Sequence, residues 1–365
     1  MKYMREFREA GATKALAKSL AGAAERLEVV RLMEVCGTHT MSIARFGLRS
    51  FFPENVMLTS GPGCPVCVSP HAYIDTAVAY CRRPDTIVTT FGDMVRVPGS
   101  SSSLESEQAA GADVRVVLST IDALRIAEEN PEKEVVFLAI GFETTAPTIA
   151  AAVLEARDSG LPNFAALCGH KVMPPAMAAL ASDPEIRIDG YICPPHVSAI
   201  IGGDAYRFLA DEYGTPCVIA GFEPFDVLQG VLWLLEMIAD SKPEVRIQYS
   251  RVVSREGNQA ALAILYEVFE AKDDEWRGIG PIPGSGLSFR KEFFDFDAER
   301  RWPVEVEPTC VPEGCICGEV LKGIASPRDC ALFGTACTPE SPVGACMVSS
   351  EGACAAAFKY EGANR

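Results

Sequence analysis

Six of the chain's 14 cysteines are Cys315, Cys317, Cys330, Cys337, Cys346 and Cys354, crowded into a Gly- and Pro-rich tail. Structural zinc usually takes paired C-x2-C knuckles, and this tail has none. Thiolates spaced irregularly along loops suit an iron–sulfur cluster better, and six exceed the four that a [4Fe–4S] cluster uses. The surplus leaves room for a dithiol beside it; a zinc staple or plain buried thiols are the alternatives. A second group is the C-x-x-C pair Cys64-Pro-Val-Cys67 in GPGCPVC. At a strand end and helix start the helix N-terminus stabilises the first thiolate, which is a redox arrangement. Half a zinc site is the other reading, but no second C-x-x-C completes it. A third is CGTHT (36–40), where His39 follows Cys36 by one helical turn. Cys36 can act as a nucleophile with His39 as base, or as a thiolate metal ligand that His39 orients. A lone cysteine is otherwise a small buried hydrophobe.

Two further turns carry polar groups. GFETT (141–145) offers Glu143, Thr144 and Thr145 at a helix start, where free N–H groups favour an anion. It lacks the glycines and lysine of a phosphate loop, so capping by a threonine is an equal reading. PPHVS (194–198) presents His196 after a Pro-Pro stop, as a functional or a structural histidine. Cys81, Cys168, Cys193 and Cys217 fall in strand or helix patterns and read as structural thiols.

These groups need a frame, and the sequence repeats one. Short apolar runs, among them 31–35, 56–60, 86–90, 134–140, 164–168, 191–193 and 216–220, each enter a polar turn and then a helical pattern. Apolar strands without alternation belong to parallel sheet covered on both faces. The expected class is α/β: two similar parallel-sheet domains plus a small Cys-rich iron–sulfur domain. Expected boundaries are 1–130 with CGTHT and CPVC, 131–280 with GFETT and PPHVS, and 281–365. GIGPIPGSGLSF near 280 reads as a linker or surface turn. In such sheets the loops after the carboxyl ends of strands line the ligand crevice, and the candidate residues fall in those loops.

The 365 residues are 48% hydrophobic and 22% charged, which is globular composition, and the formal charge is −16. An acidic chain is poorly suited to unaided binding of nucleic acid or an anionic membrane. No apolar run reaches the ~20 residues of a membrane span. The first twenty residues read as a charged amphipathic helix rather than a signal peptide, so a cytoplasmic location is expected.

MEVCGTHT, TSGPGCPVCVSP, IGFETTAPT, PPHVSAIIGG, GFEPFDVLQG and the tail from CICGEVLKG to SSEGACAA resemble the HypD family of hydrogenase maturation scaffolds, from about residue 30 to 360. The resemblance implies a scaffold with redox activity rather than a turnover enzyme, which helps to assemble the Fe(CN)2CO unit of [NiFe]-hydrogenase. By that resemblance Cys36 is the iron thiolate ligand, shared with a cysteine of a small HypC-type partner, and His39 is its neighbour. Cyanide comes from a HypE-type donor with HypF upstream, and the hydrogenase large subunit is reached indirectly. The resemblance also implies a [4Fe–4S] cluster on Cys315, Cys330, Cys337 and Cys354, with Cys317 and Cys346 as the adjoining dithiol. Electrons would pass from there to Cys64 and Cys67, with Glu143, Thr144, Thr145 and His196 lining the crevice. The competing expectations are a stand-alone iron–sulfur disulfide reductase and a zinc-binding interaction protein.

Overall fold

The computed structural model describes residues 10–362. The expected N-terminal helix is seen from Ala10 to Ala24; its first nine residues lie outside the described ones. Among the described residues eleven strands follow: β1 (Val30–Glu34), β2 (Val56–Ser60), β3 (Thr86–Thr90), β4 (Asp113–Val116), β5 (Glu134–Ala139), β6 (Phe164–Cys168), β7 (Gly190–Cys193), β8 (Cys217–Ile219), β9 (Val245–Ile247), β10 (Phe269–Trp276) and β11 (Gly280–Phe289). They form a five-stranded parallel sheet in the order β2-β1-β7-β8-β9, a four-stranded parallel sheet in the order β4-β3-β5-β6, and an antiparallel hairpin β10-β11. Every residue of β3 and β6 is buried, as expected for sheets covered on both faces.

The two-sheet α/β architecture agrees with the sequence pattern, but the chain is divided differently from the boundary expected at 130. The chain leaves the first sheet after β2, builds all four strands of the second, and returns at β7. A cut at 130 would separate β3 and β4 from β5, to which β3 pairs directly. Apolar runs identify strands; they do not say which strands pair. The Gly/Pro segment near 280 is also corrected: it is β11. Gly286 allows the crossing, because a Cβ there would lie 2.4 Å from an Asp274 carboxylate oxygen. Pro281 and Pro283 are tolerated because a two-stranded ribbon leaves one side of each strand free of ladder bonds.

Packing holds the strand ends in place. Helix Pro224–Ala239 starts with Pro224 and a capping box between Glu223 and Asp226. Its buried Val227, Leu228, Val231, Leu234 and Leu235 follow helical spacing and cover one face of the first sheet, each side chain contributing about 1.5–3 kcal/mol. The other face joins a core that continues into the second sheet and the tail, and Cys64, Cys67 and Cys346 lie within it. Among the described residues no helix is long and apolar enough to cross a membrane.

Candidate functional site

In the first sheet the strand order reverses between β1 and β7, and in the second between β3 and β5. A crevice forms outside the carboxyl ends of strands at such a reversal. CGTHT follows β1 and PPHVS follows β7; the loop of Asp93 follows β3 and GFETT follows β5. The Cys-rich tail lies across these ends. Glu351 accepts from the Thr38 hydroxyl at 2.5 Å, and the Ser349 hydroxyl donates to Asp93 at 2.7 Å.

Cys36 lies two residues after β1 and immediately precedes helix Gly37–Arg45. Its amide donates to Glu34 Oε2 at 3.1 Å, while the Thr40 hydroxyl donates to Glu34 Oε1 at 2.5 Å. Burial raises the Glu34 carboxyl to about 7 and pushes the Cys36 thiol up to about 12. The charges of Glu351 and Glu34 act on Cys36 in the same direction. His39 is buried, and its Nε2 meets the carbonyl oxygens of Gly221 and Ala220 at 3.0 and 3.2 Å. Both partners are acceptors, so Nε2 carries the proton and Nδ1 is left as a buried acceptor without a partner. Burial lowers His39 to about 4, so the ring is neutral. The Phe222 ring lies between His39 and the exposed His196, with centroids at 5.0 and 4.4 Å.

The CPVC loop packs on the Cys36 backbone. The Gly37 amide donates to Gly63 O at 3.0 Å, and a Cβ on Gly63 would lie 2.2 Å from the Cys36 nitrogen. Only glycine allows that approach. Cys64 caps helix Pro65–Val68, accepting from the Cys67 amide at 3.3 Å, and the two sulfurs are 2.6 Å apart. Cys346 interacts with both Cys67 and Cys317, and Cys317 Sγ lies 3.1 Å from Cys315 Sγ. The sulfurs form one continuous run from the CPVC loop into the tail.

Cys315, Cys317, Cys330, Cys337 and Cys354 line one small cavity. A Cβ on Gly344 would meet Cys317 Sγ at 2.5 Å and Cys315 Sγ at 2.8 Å, so glycine leaves room beside the sulfurs. Among the described residues no three His, Cys, Asp or Glu side chains are grouped to hold a single metal ion. A [4Fe–4S] cluster instead spreads four thiolates over four irons. Five thiols around a shared cavity have the donor chemistry for that group.

Three predicted residues sit elsewhere. Glu143 is buried at the end of the second sheet, where its Oε1 accepts from the Met173 amide at 3.0 Å and Oε2 has no partner. Burial raises its carboxyl to about 7, and its electrostatic effect falls on Tyr206 and Tyr266. Thr145 bonds back to Ile140 and Phe142 carbonyls instead of capping the helix, and Thr144 is half-buried beside it. Cys193 and Cys217, on adjacent strands, interact with one another within the core, and Cys217 Sγ donates to Thr215 O at 3.7 Å.

Sequence reasoning missed Glu34, Glu351 and Arg277. An acid inside the apolar run RLMEV was a signal for Glu34, because carboxylates are almost never fully buried unpaired. Glu351 lies in the tail motif between Cys346 and Cys354 but carries no spacing cue of its own. Arg277, in the turn of the hairpin, had none. It is buried, its Nε donates to Ser69 O at 2.6 Å, and its Nη1 donates to His71 Nε2 at 2.9 Å.

The sequence matches known proteins along nearly its whole length. The family model for HypD, described as "Hydrogenase formation hypA family", matches residues 11–361. The chain belongs to the HypD family. Hydrogenase maturation factor HypD2 of Bradyrhizobium diazoefficiens is 48% identical over 368 residues, covering 99% of this chain and 97% of that protein. Hydrogenase maturation factor HypD of Azotobacter vinelandii is 47% identical over 367 residues, with 99% and 97% covered. The Escherichia coli HypD factor is 46% identical over 345 residues, with 94% and 92% covered.

Proposed function

We propose that the chain is a hydrogenase maturation factor that holds iron at Cys36, together with a small HypC-type partner, while an Fe(CN)2CO unit is assembled. Family membership supports the role in maturation. The observation that carries the finer reading is the run of sulfur contacts ending against the Cys36 backbone. Iron is the cargo, and a HypE-type protein, with HypF upstream, is the cyanide donor.

Cys315, Cys330, Cys337 and Cys354 would hold a [4Fe–4S] cluster, which supplies single electrons when bound. The chain's own part is thiol exchange. With Cys64 and Cys67 joined as a disulfide, the Cys346 thiolate attacks Cys67 and releases Cys64 as a thiolate, which takes a proton. Cys317 then attacks Cys346, and Cys67 leaves as a thiol. One disulfide is lost and one gained, and two electrons move towards Cys36. Cys346 suits the attack because a hydrogen bond from Cys317, which keeps its proton while Cys64 and Cys67 are joined, holds its thiol below the ordinary range. Neutral His39, with Nδ1 free to accept, orients groups at the iron without adding charge. His196 and Phe222 form the neighbouring wall, while Glu143, Thr144 and Thr145 act from the second sheet by shaping the crevice.

Anaerobic iron and sulfide analysis tests the cluster: about four of each is expected, lost in Cys330→Ala. Infrared bands of bound cyanide and CO on the complex with the small partner test the cargo, and these should vanish in Cys36→Ala. A cluster without those bands would overturn the scaffold reading in favour of a disulfide reductase. One zinc without sulfide would overturn both.

A further inference from the structure

A second cavity, of about 320 Å³, opens beside the sulfur run and is lined by His71, Arg277, Cys315, Cys317, Gly318 and Gly344 among others. Its size falls in the range of small-molecule sites. Cys315, Cys317 and Gly344 also line the five-thiol cavity, so two sulfurs and a glycine form the partition between them. Of the six tail cysteines, only Cys315 and Cys317 are partly exposed; the other four are buried.

The hairpin brings a cation to this point. Gly278, at φ +70°, and Gly318 touch so closely that a Cβ on Gly278 would lie 2.3 Å from Gly318 Cα. That contact pins the hairpin turn to the Cys317 loop and sets Arg277 beside it. Arg277 is 5% exposed, and its Nη2 is buried without a hydrogen-bond partner. The groups that act on its charge are Cys317, Cys346, Cys67 and Cys315. A buried guanidinium with an unused donor among sulfurs is placed for an anionic sulfur species. Thiol–disulfide exchange creates one, since negative charge spreads over the attacking, central and leaving sulfurs.

We infer that this cavity is an exchange port where a small-molecule thiol or its disulfide reacts with Cys317, with Arg277 stabilising the charge that develops. The inference rests on Cys317 and Cys346 being the dithiol rather than cluster ligands. In the oxidising direction the Cys317 thiolate attacks a disulfide RSSR, forming Cys317–S–S–R and releasing RS⁻. The Cys346 thiolate then attacks Cys317 Sγ and releases the second RS⁻. Each RS⁻ takes up one of the two protons that the cysteines lose. The net change is one RSSR reduced to two RSH and one Cys317–Cys346 disulfide formed. Two small thiols reduce the pair by the reverse path.

The test uses the full-length protein, purified anaerobically, with hydroxyethyl disulfide as probe and peptide mapping of mixed disulfides over time. Cys310 is exposed and serves as the internal reference. Cys317 is expected to react at least as fast as Cys310, followed by the Cys317–Cys346 disulfide and two 2-mercaptoethanol molecules per probe consumed. In Arg277→Gln the Cys317-to-Cys310 ratio is expected to fall about tenfold or more, and Arg277→Lys should restore part of it. Labelling of Cys193 and Cys217 would expose misfolding, and the wild-type ratio stands without any variant. An unchanged ratio in a folded Arg277→Gln protein overturns the inference, as does wild-type labelling confined to Cys310. Iron content of Cys317→Ala separates the two readings. Retained iron with an unreactive Cys317 in the wild type defeats the port alone, whereas iron lost in Cys317→Ala defeats the dithiol assignment beneath it.

Discussion

Cys36 and Cys346 are both buried at the same junction of sheet and tail, yet their thiols are driven in opposite directions. Around Cys36, burial pushes the thiol up to about 12, and the acids Glu34 and Glu351 push the same way. Around Cys346, hydrogen bonds from Cys317 and Cys67 outweigh burial and hold the thiol below its ordinary range. Burial alone keeps a thiol protonated and unreactive; neighbouring donors reverse it. The first environment suits a sulfur that becomes a ligand only when a metal displaces its proton. The second suits a sulfur that must attack another sulfur.

The largest effects should come from removing either thiol, and they should differ in kind. Cys36→Ala is expected to lower hydrogenase maturation by at least about 100-fold while the tail keeps its iron and sulfide. This is measured as hydrogenase activity in cells lacking their own family member. Cys346→Ala should cost as much activity, keep the tail iron, and leave Cys64 and Cys67 trapped as a disulfide. If the variant still reduces that pair at the wild-type rate, the sulfur run is not the route.

Next is the contact joining the two environments. In Gly63→Ala the added Cβ meets the backbone at Val35 and Cys36, which cannot rotate away. Overpacking of this kind costs about 1–3 kcal/mol. The apparent melting temperature should fall, and the CPVC loop should move off Cys36. A variant with wild-type melting and wild-type maturation would mean that the loops need not touch.

A smaller effect with a definite sign is expected at Glu143. Its folded carboxyl titrates near 7 because of burial, against 4.5 unperturbed. A raised carboxyl pKa means that the folded state binds the extra proton, so stability is full below about 4.5 and declines as pH rises through 7. Glu143→Gln should therefore match the wild type at pH 5 and exceed it at pH 8 by roughly 2–3 kcal/mol. Thermal melts at the two pH values decide it, and a variant equally destabilised at both would show that the acid is structurally required. Maturation left intact by the substitution would remove Glu143 from the crevice chemistry.

The sequence showed this chemistry unevenly, for physical reasons. Strands β1, β3, β5 and β6 were legible because a strand covered on both faces is mostly uncharged and does not alternate, and the residues after it must then lie at the sheet's carboxyl edge. Cys36, Cys64 and Cys67 could be placed in that way. The hairpin was hidden because β10 is largely charged and β11 holds two prolines, so neither has a buried-strand pattern. Arg277 was hidden with it. Its role comes from a Gly278–Gly318 contact between segments distant in sequence, which no local pattern encodes. Likewise nothing near Glu351 indicates that it faces Thr38, since that proximity is set by how the tail docks.

The smallest expected effect tests that docking. The Ser349 hydroxyl spans from the tail to Asp93 of the second sheet, while Glu351, two residues on, reaches Thr38 of the first. Asp93 is exposed, so water can replace the lost donor, and Ser349→Ala should cost only about 1 kcal/mol. Global melting should barely change. Amide hydrogen exchange across 345–356 should nevertheless quicken several-fold, because one of two anchors of that segment is gone. Thr38→Val removes the other anchor and should quicken the same amides. If the two act on one docked segment, the double variant should lose more protection than the sum of the single ones. Strict additivity would mean that the tail is held over Cys36 by its own packing, with both hydroxyls incidental.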